Sequence, residues 1–194
     1  MRIISGNFRG KILASPTSDN IRPTLDKVKQ ALFTRLQFRI PESFLLDLFA
    51  GSGALGIEAI SRNARHVVFV DNNEKSISLV KKNLTSIGFQ QKGSNYVSTK
   101  QTTTASVFKL SFLDALTKLA EDKIKFDIII LDPPYEKVEY YTFALQKIFD
   151  CQLLAPDGII VCERLKNSTI SCDTFLLDAT KIYGTVALDY FVNK

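Results

Sequence analysis

The residues Leu45–Ala59, LLDLFAGSGALGIEA, decide the fold. An apolar run carrying one acid, Asp47, ends in a glycine-rich turn, and a helical pattern starts at about Gly53. Glycines at such a turn let the backbone approach a ligand where a Cβ would clash. The alternation then repeats downstream. Apolar runs stand at 44–49 (FLLDLF), 66–71 (HVVFVD), 106–112 (SVFKLSF), 126–132 (FDIIILD) and 158–163 (GIIVCE). Helical patterns lie between them at 53–62, 73–87, 113–121 and 138–149. Short aliphatic runs separated by helices predict a mostly parallel sheet covered on both faces. The last two runs, TFLLDATKIY and TVALDYFV, have only Gly184 between them and predict an antiparallel hairpin closing one edge. This is an α/β, Rossmann-like sheet of seven strands. The polar stretch QQKGSNYVSTKQTTTA at 90–105 is expected to be a mobile loop.

Before this unit, Arg2–Ile4 and Lys11–Ala14 read as short extended pieces joined by a turn at Gly6–Gly10. A helix is expected from Thr24 to about Phe38, with Leu25, Val28, Leu32 and Leu36 at helical spacing. The first 40 residues hold eight Lys or Arg against Asp19 and Asp26, a net of +6, while the whole chain of 194 residues carries +5. A basic segment on a neutral body suggests a polyanion-binding face, or else a solvated surface. At 45% hydrophobic and 23% charged the composition is that of an ordinary globular protein. No apolar run approaches the roughly 20 residues of a membrane span, and no signal-peptide pattern opens the chain, so the cytoplasm is the expected location. Cys151, Cys162 and Cys172 lack metal or redox spacing, and no metal is expected.

Three glycines, Gly51, Gly53 and Gly56, match G-x-G-x-x-G, with Asp71 twenty residues beyond the first. That is also the dinucleotide fingerprint, so the loop alone supports an NAD enzyme as well as a methyltransferase. Asp47 tips the reading, because an acid there suits the cationic amino group of a methionine moiety and not a pyrophosphate. Asp71 can accept hydrogen bonds from a ribose diol, which both cofactors possess. The decisive motif is Asp132-Pro133-Pro134-Tyr135, directly after the fourth apolar run, at the edge where open α/β sheets bind ligands. Two prolines remove two backbone donors and leave carbonyls outward. An acceptor side chain beside such a carbonyl can hold an exocyclic amino group and free its lone pair. Tyr135 offers a face for stacking on a base.

This motif, after a D-x-F-x-G-x-G strand, is similar to that of the amino-methyltransferases of nucleic acids. MRIISGNFRGKIL, RPTLDKVKQALF and LDLFAGSGALGIEAISRNA narrow the likeness: the chain resembles the RsmD family, bacterial guanine-N2 methyltransferases of 16S ribosomal RNA. The likeness extends from Met1 to KIYGTVALDYF. It implies a class I methyltransferase fold over 1–194, with 1–40 a short basic RNA-facing extension and 41–194 the catalytic sheet. It implies S-adenosylmethionine as cofactor, with Asp47, Gly51 and Gly53 at its methionine end, Asp71 at the ribose and Asp114 near the adenine. Asp132 to Tyr135 would be the catalytic loop. Asp132 is expected to act by hydrogen bonding, the proton leaving to water. Arg22 and Thr24 would lie beside the site, with Lys27 and Lys29 toward RNA. The implied partner is ribosomal RNA or the assembling small subunit, with no membrane.

The chain departs from the family pattern in four places. Lys27 and Lys29 replace arginines, which keeps charge but loses bidentate phosphate contacts. Asp71 stands where Glu is common, the 90–105 stretch is longer than usual, and Asn63 replaces a glycine. The rival readings are an adenine- or cytosine-N methyltransferase on DNA or other RNA, an NAD-dependent oxidoreductase, and a non-catalytic RNA-binding protein.

Overall fold

The computed structural model describes residues 1–15, 23–98 and 101–194, and of residues 23–25 the backbone alone. Five helices and nine strands follow one another along it: α1 (Pro23–Arg35), β1 (Phe44–Asp47), α2 (Ala54–Ser61), β2 (His66–Asp71), α3 (Glu74–Ser86), β3 (Phe89–Lys92), β4 (Asn95–Ser98), β5 (Thr104–Lys109), α4 (Phe112–Glu121), β6 (Phe126–Leu131), α5 (Glu139–Asp150), β7 (Leu154–Leu165), β8 (Leu176–Tyr183) and β9 (Val186–Val192). They build one sheet in the order β3-β4-β5-β2-β1-β6-β7-β9-β8. The central five strands, β5 to β7, pair in parallel, and both edges are antiparallel.

The central strands are apolar throughout because helices cover both faces. Alternate residues enter different cores. On β2, Val67 and Phe69 pack with α1, α2 and α3, whereas Val68 and Val70 pack with α4 and α5. The C-terminal hairpin is present, its two-residue turn set by the pairing of Tyr183 with Val186. The expected seven strands are joined by two more. The stretch read as a mobile loop forms most of the β3–β4 hairpin, and β5 begins inside it at Thr104, two residues earlier than expected. Phe89, Tyr96 and Ala105 are buried beneath a polar outer face. Composition registered the polar face and overlooked three apolar residues at intervals that reach the core.

The N-terminal segment docks on α2 by hydrogen bonds from both ends of the helix's last turn. Arg2 bridges Ile12, and Ile3 and Leu13 are buried in the core of α1–α3. The Glu58 carboxylate, fully buried, accepts the Ile4 and Ser5 N–H groups at 2.8 and 3.0 Å. Asn7 N–H satisfies the Ser61 carbonyl at 2.7 Å, an end-of-helix acceptor that would otherwise lack a partner. This approach is so close that a Cβ on Gly6, whose φ is +85°, would stand 1.8 Å from the Ser61 carbonyl oxygen.

Lys29 corrects an expectation. It is only 4% exposed; its ammonium donates to the Arg2 carbonyl at 2.6 Å and lies 3.5 Å from Glu58. A buried carboxylate needs a cation, and α1 supplies it, so Lys29 braces the fold instead of facing RNA. Other basic residues of the segment are also engaged. Arg35 pairs with Asp178 at 2.8 Å and Arg39 donates to the Asp157 carbonyl at 2.7 Å. Lys27 is exposed. Arg22 and the Thr24 side chain lie outside the described residues.

Two outcomes are expected from this packing. Gly6→Ala should destabilise by about 2–4 kcal/mol, combining a left-handed backbone with a backbone clash. Thermal melting should show a fall of roughly 5–15 °C. The second concerns Asp47, buried at the end of β1, where it accepts the Gly56 N–H at 3.0 Å. Burial raises its pKa to about 7, opposed by that hydrogen bond and assisted by Asp71. A carboxyl whose folded pKa lies above its unfolded value destabilises progressively as pH rises between the two, and fully above the higher one. Asp47→Asn should therefore match wild type in melting temperature near pH 4 and exceed it at pH 8. Equal melting curves at both pH values would refute the burial argument.

Candidate active site

The carboxyl ends of β1, β2, β5, β6 and β7 surround a cleft of about 720 Å³. On its β1 side, the glycine loop turns through Gly51 and Gly53, whose φ values of 53° and 78° are left-handed. Two carboxylates hold this loop in shape. Asp71 accepts the Gly51 N–H through Oδ2 at 2.9 Å and the Asn73 N–H through Oδ1 at 2.8 Å. Asp47 takes the Gly56 N–H from beneath. Gly51 and Asp71 line the cleft; Asp47 and Gly53 are not among its lining residues and act as supports below it. This arrangement tells against the dinucleotide alternative. Two amides of the segment, those of Gly51 and Gly56, already point at carboxylates, which would repel a pyrophosphate there.

Asp114 also sits differently from the expectation. It is exposed in the first turn of α4, where its N–H is capped by Ser111 Oγ at 3.2 Å and its carboxylate accepts from that hydroxyl at 2.7 Å. The requirement for a helix cap claims the side chain. Ser111 and Phe112 line the cleft in its place.

Asp132, Pro133, Pro134 and Tyr135 all line the cleft just beyond β6. The Pro134 carbonyl accepts the Lys137 N–H at 2.8 Å. Among the described residues no donor reaches the Pro133 carbonyl. Burial and the neighbouring charges of Glu163 and Asp47 push the Asp132 carboxyl well above the usual carboxylate range. Tyr135 is half-buried, and its hydroxyl donates to Glu163 Oε1 at 3.1 Å.

The sequence reading overlooked two features. Glu163, on β7, is 5% exposed and lines the cleft, and burial raises its pKa. Its signal was an acid closing an apolar run, as Asp71 and Asp132 do. The other is a wall of three aromatic rings. The Phe49 centroid lies 5.3 Å from Phe112 and 6.2 Å from Tyr140, and Phe112 lies 5.0 Å from Tyr140. These rings are scattered through the sequence, so nothing local announces them. Such a wall can receive a planar ring system.

Known proteins resemble this chain in sequence and in fold. The family model described as conserved hypothetical protein 95 matches residues 1–192. A Haemophilus influenzae protein described as ribosomal RNA small subunit methyltransferase D is 34% identical over 194 residues, covering 100% of this chain and 94% of the relative. The Escherichia coli protein of the same description is 33% identical over 137 residues, 71% of this chain and 61% of the relative. A solved Escherichia coli structure superposes with a TM-score of 0.78 at 28% identity, covering 100% of this chain and 98% of its own. With the family model spanning all but the last two residues, the chain belongs to the RsmD family.

Proposed function

We propose that this chain methylates the exocyclic N2 of a guanine in small-subunit ribosomal RNA, using S-adenosylmethionine, in the cytoplasm. One observation carries the chemistry: Asp132 and Pro133, whose carbonyl meets no donor among the described residues, adjoin on a cleft lined by further carboxylates. The relatives described as small-subunit ribosomal RNA methyltransferases support the substrate.

The cleft suits the cofactor. Asp71, Asp132 and Glu163 line it, and among the described residues no Lys or Arg bonds any of the three carboxylates. Lys29 and Lys137 reach the same cleft, but their ammonium groups lie beside Glu58 and Glu139. An acidic cavity favours a sulfonium and disfavours phosphate-bearing cofactors. Its volume falls in the range of about 300–1,000 Å³ usual for cofactor sites. Gly51 and Asp71 would hold the cofactor, over supports from Asp47 and Gly53, with Ser111 and Phe112 at the adenine end in place of Asp114. When bound, S-adenosylmethionine supplies a methyl group already activated on sulfur.

The remaining work belongs to the protein's own groups. Asp132 and the Pro133 carbonyl accept the two N–H groups of the target amine and orient its lone pair along one line. A carboxyl with raised proton affinity is also a stronger base than an exposed one. Burial therefore moves Asp132 from the purely hydrogen-bonding role expected from sequence toward accepting the departing proton. The base must leave its stack to enter, and the aromatic side chains about the cleft offer it a surface. For RNA, Lys27 faces a groove between α1 and β8 that Lys181 also lines, so phosphate can track past the site along that side. Arg22 and Thr24 remain proposed contacts beside it.

Mass mapping of small-subunit ribosomal RNA with and without the protein should reveal one guanine gaining a methyl group. Asp132→Ala should bind cofactor nearly as wild type and lower the single-turnover rate by at least about a hundredfold. Asp132→Asn keeps an acceptor oxygen but cannot take a proton, so it should be nearly as impaired. An alanine variant as fast as wild type would remove Asp132 from the reaction. Separately, Lys27→Ala with Lys181→Ala should weaken RNA binding and lower its log–log salt slope by about 1.4–1.8, because two fewer phosphates are neutralised. Titration at several salt concentrations measures this, and an unchanged slope would make the groove a solvated surface.

A further inference from the structure

β7 runs through the sheet as Ile159–Cys162, fully apolar, and its next residue is Glu163. The parallel register pairs Leu131 with Cys162, so Asp132 and Glu163 follow as neighbours where β6 and β7 reach the cleft. Glu163 Oε1 accepts the Tyr135 hydroxyl at 3.1 Å. Among the described residues nothing donates to Oε2. The adjacent Arg164 cannot neutralise it, because its guanidinium turns away to form an ion pair with Asp189. The Tyr141 hydroxyl bonds the Glu163 backbone carbonyl and steadies the strand end. A carboxylate buried without a cation is costly and is kept where a ligand needs it.

We propose that Glu163 selects the base: its carboxylate accepts the ring N1–H of the target guanine while Asp132 and the Pro133 carbonyl hold the N2 amino group. The assignment rests on the methyl-transfer reading above and names the residue behind its guanine specificity. Guanine presents N1–H and N2–H side by side, two donors facing two adjacent carboxyls. Adenine and cytosine present an amino group beside a ring nitrogen lone pair, which would face a negative oxygen. The Asp-Pro-Pro-Tyr loop takes any such amino group; Glu163 distinguishes what stands next to it. Tyr135, by occupying Oε1, fixes which oxygen meets the base and so acts as a positioning residue.

The test uses 2-aminopurine, which keeps the 2-amino group but has a lone pair at N1. Small-subunit RNA, free or assembled with its ribosomal proteins, would carry guanine or 2-aminopurine at the nucleotide that mass mapping identifies. Wild type should prefer guanine in kcat/KM by at least about a hundredfold, as expected of a site built around a donor. Glu163→Gln can offer an N–H to that lone pair and should reduce the preference below about tenfold. The preference is a ratio between two bases on the same enzyme, so any change in S-adenosylmethionine affinity cancels from it. Glu163→Ala should reduce the preference as well, and covers the case in which the glutamine variant does not fold. A folded variant that retains the wild-type preference overturns the assignment, as does a wild-type preference near one. A wild type that methylates no guanine overturns the function itself, which separates that failure from the failure of Glu163.

Discussion

Parallel pairing is the constraint on which the molecule depends. Five strands that run the same way must all end on the same edge, and the helices that return the chain must lie on the two faces. The backbone at that edge leaves the ladder and needs partners, and side chains there can meet a ligand. Asp47, Asp71, Asp132 and Glu163 sit at or beside these ends. One topological requirement thus gathers acids from four remote parts of the chain around a single cleft, and the same requirement keeps the strands between them apolar.

Much of this was readable from sequence because it is local. Continuous aliphatic runs, a glycine turn and two consecutive prolines each constrain the residues beside them. The five helices therefore fell within a few residues of their expected places, and the Asp132–Tyr135 turn at its expected edge. What escaped was set by distant partners. The β3–β4 hairpin depends on Phe89 and Tyr96 reaching a core made by other segments. Lys29 looked like a surface cation in a basic stretch, and only the fold reveals Glu58 opposite it. Asp114 matched a family position, yet its local chemistry with Ser111 was itself a capping signal.

The Glu58 network illustrates how a buried charge can specify arrangement. Its carboxylate receives two backbone N–H groups from the N-terminal segment, Lys29 from α1 and Arg62 just past the end of α2. Removing one partner would leave a buried charge uncompensated, which is commonly destabilising by several kcal/mol. The three segments are thereby obliged to assemble together, and this brings Met1 and Lys29 to the margin of the cleft. Among the described basic residues of the first forty, Lys29 is thus the buried brace and the rest stay exposed.

The glycine loop bears on how a ligand is received. Because Asp71 and Asp47 already hold Gly51 and Gly56 through backbone hydrogen bonds, the loop reaches its final conformation during folding, before any cofactor arrives. Little ordering entropy is left to offset the contacts made on binding. The free and loaded proteins should therefore be nearly superimposable in this segment, and hydrogen exchange at the Gly51 and Gly56 amides should be slow even without ligand. A receptor shaped in advance recognises its cofactor by fit, and leaves conformational adjustment to the RNA that must unstack to meet it.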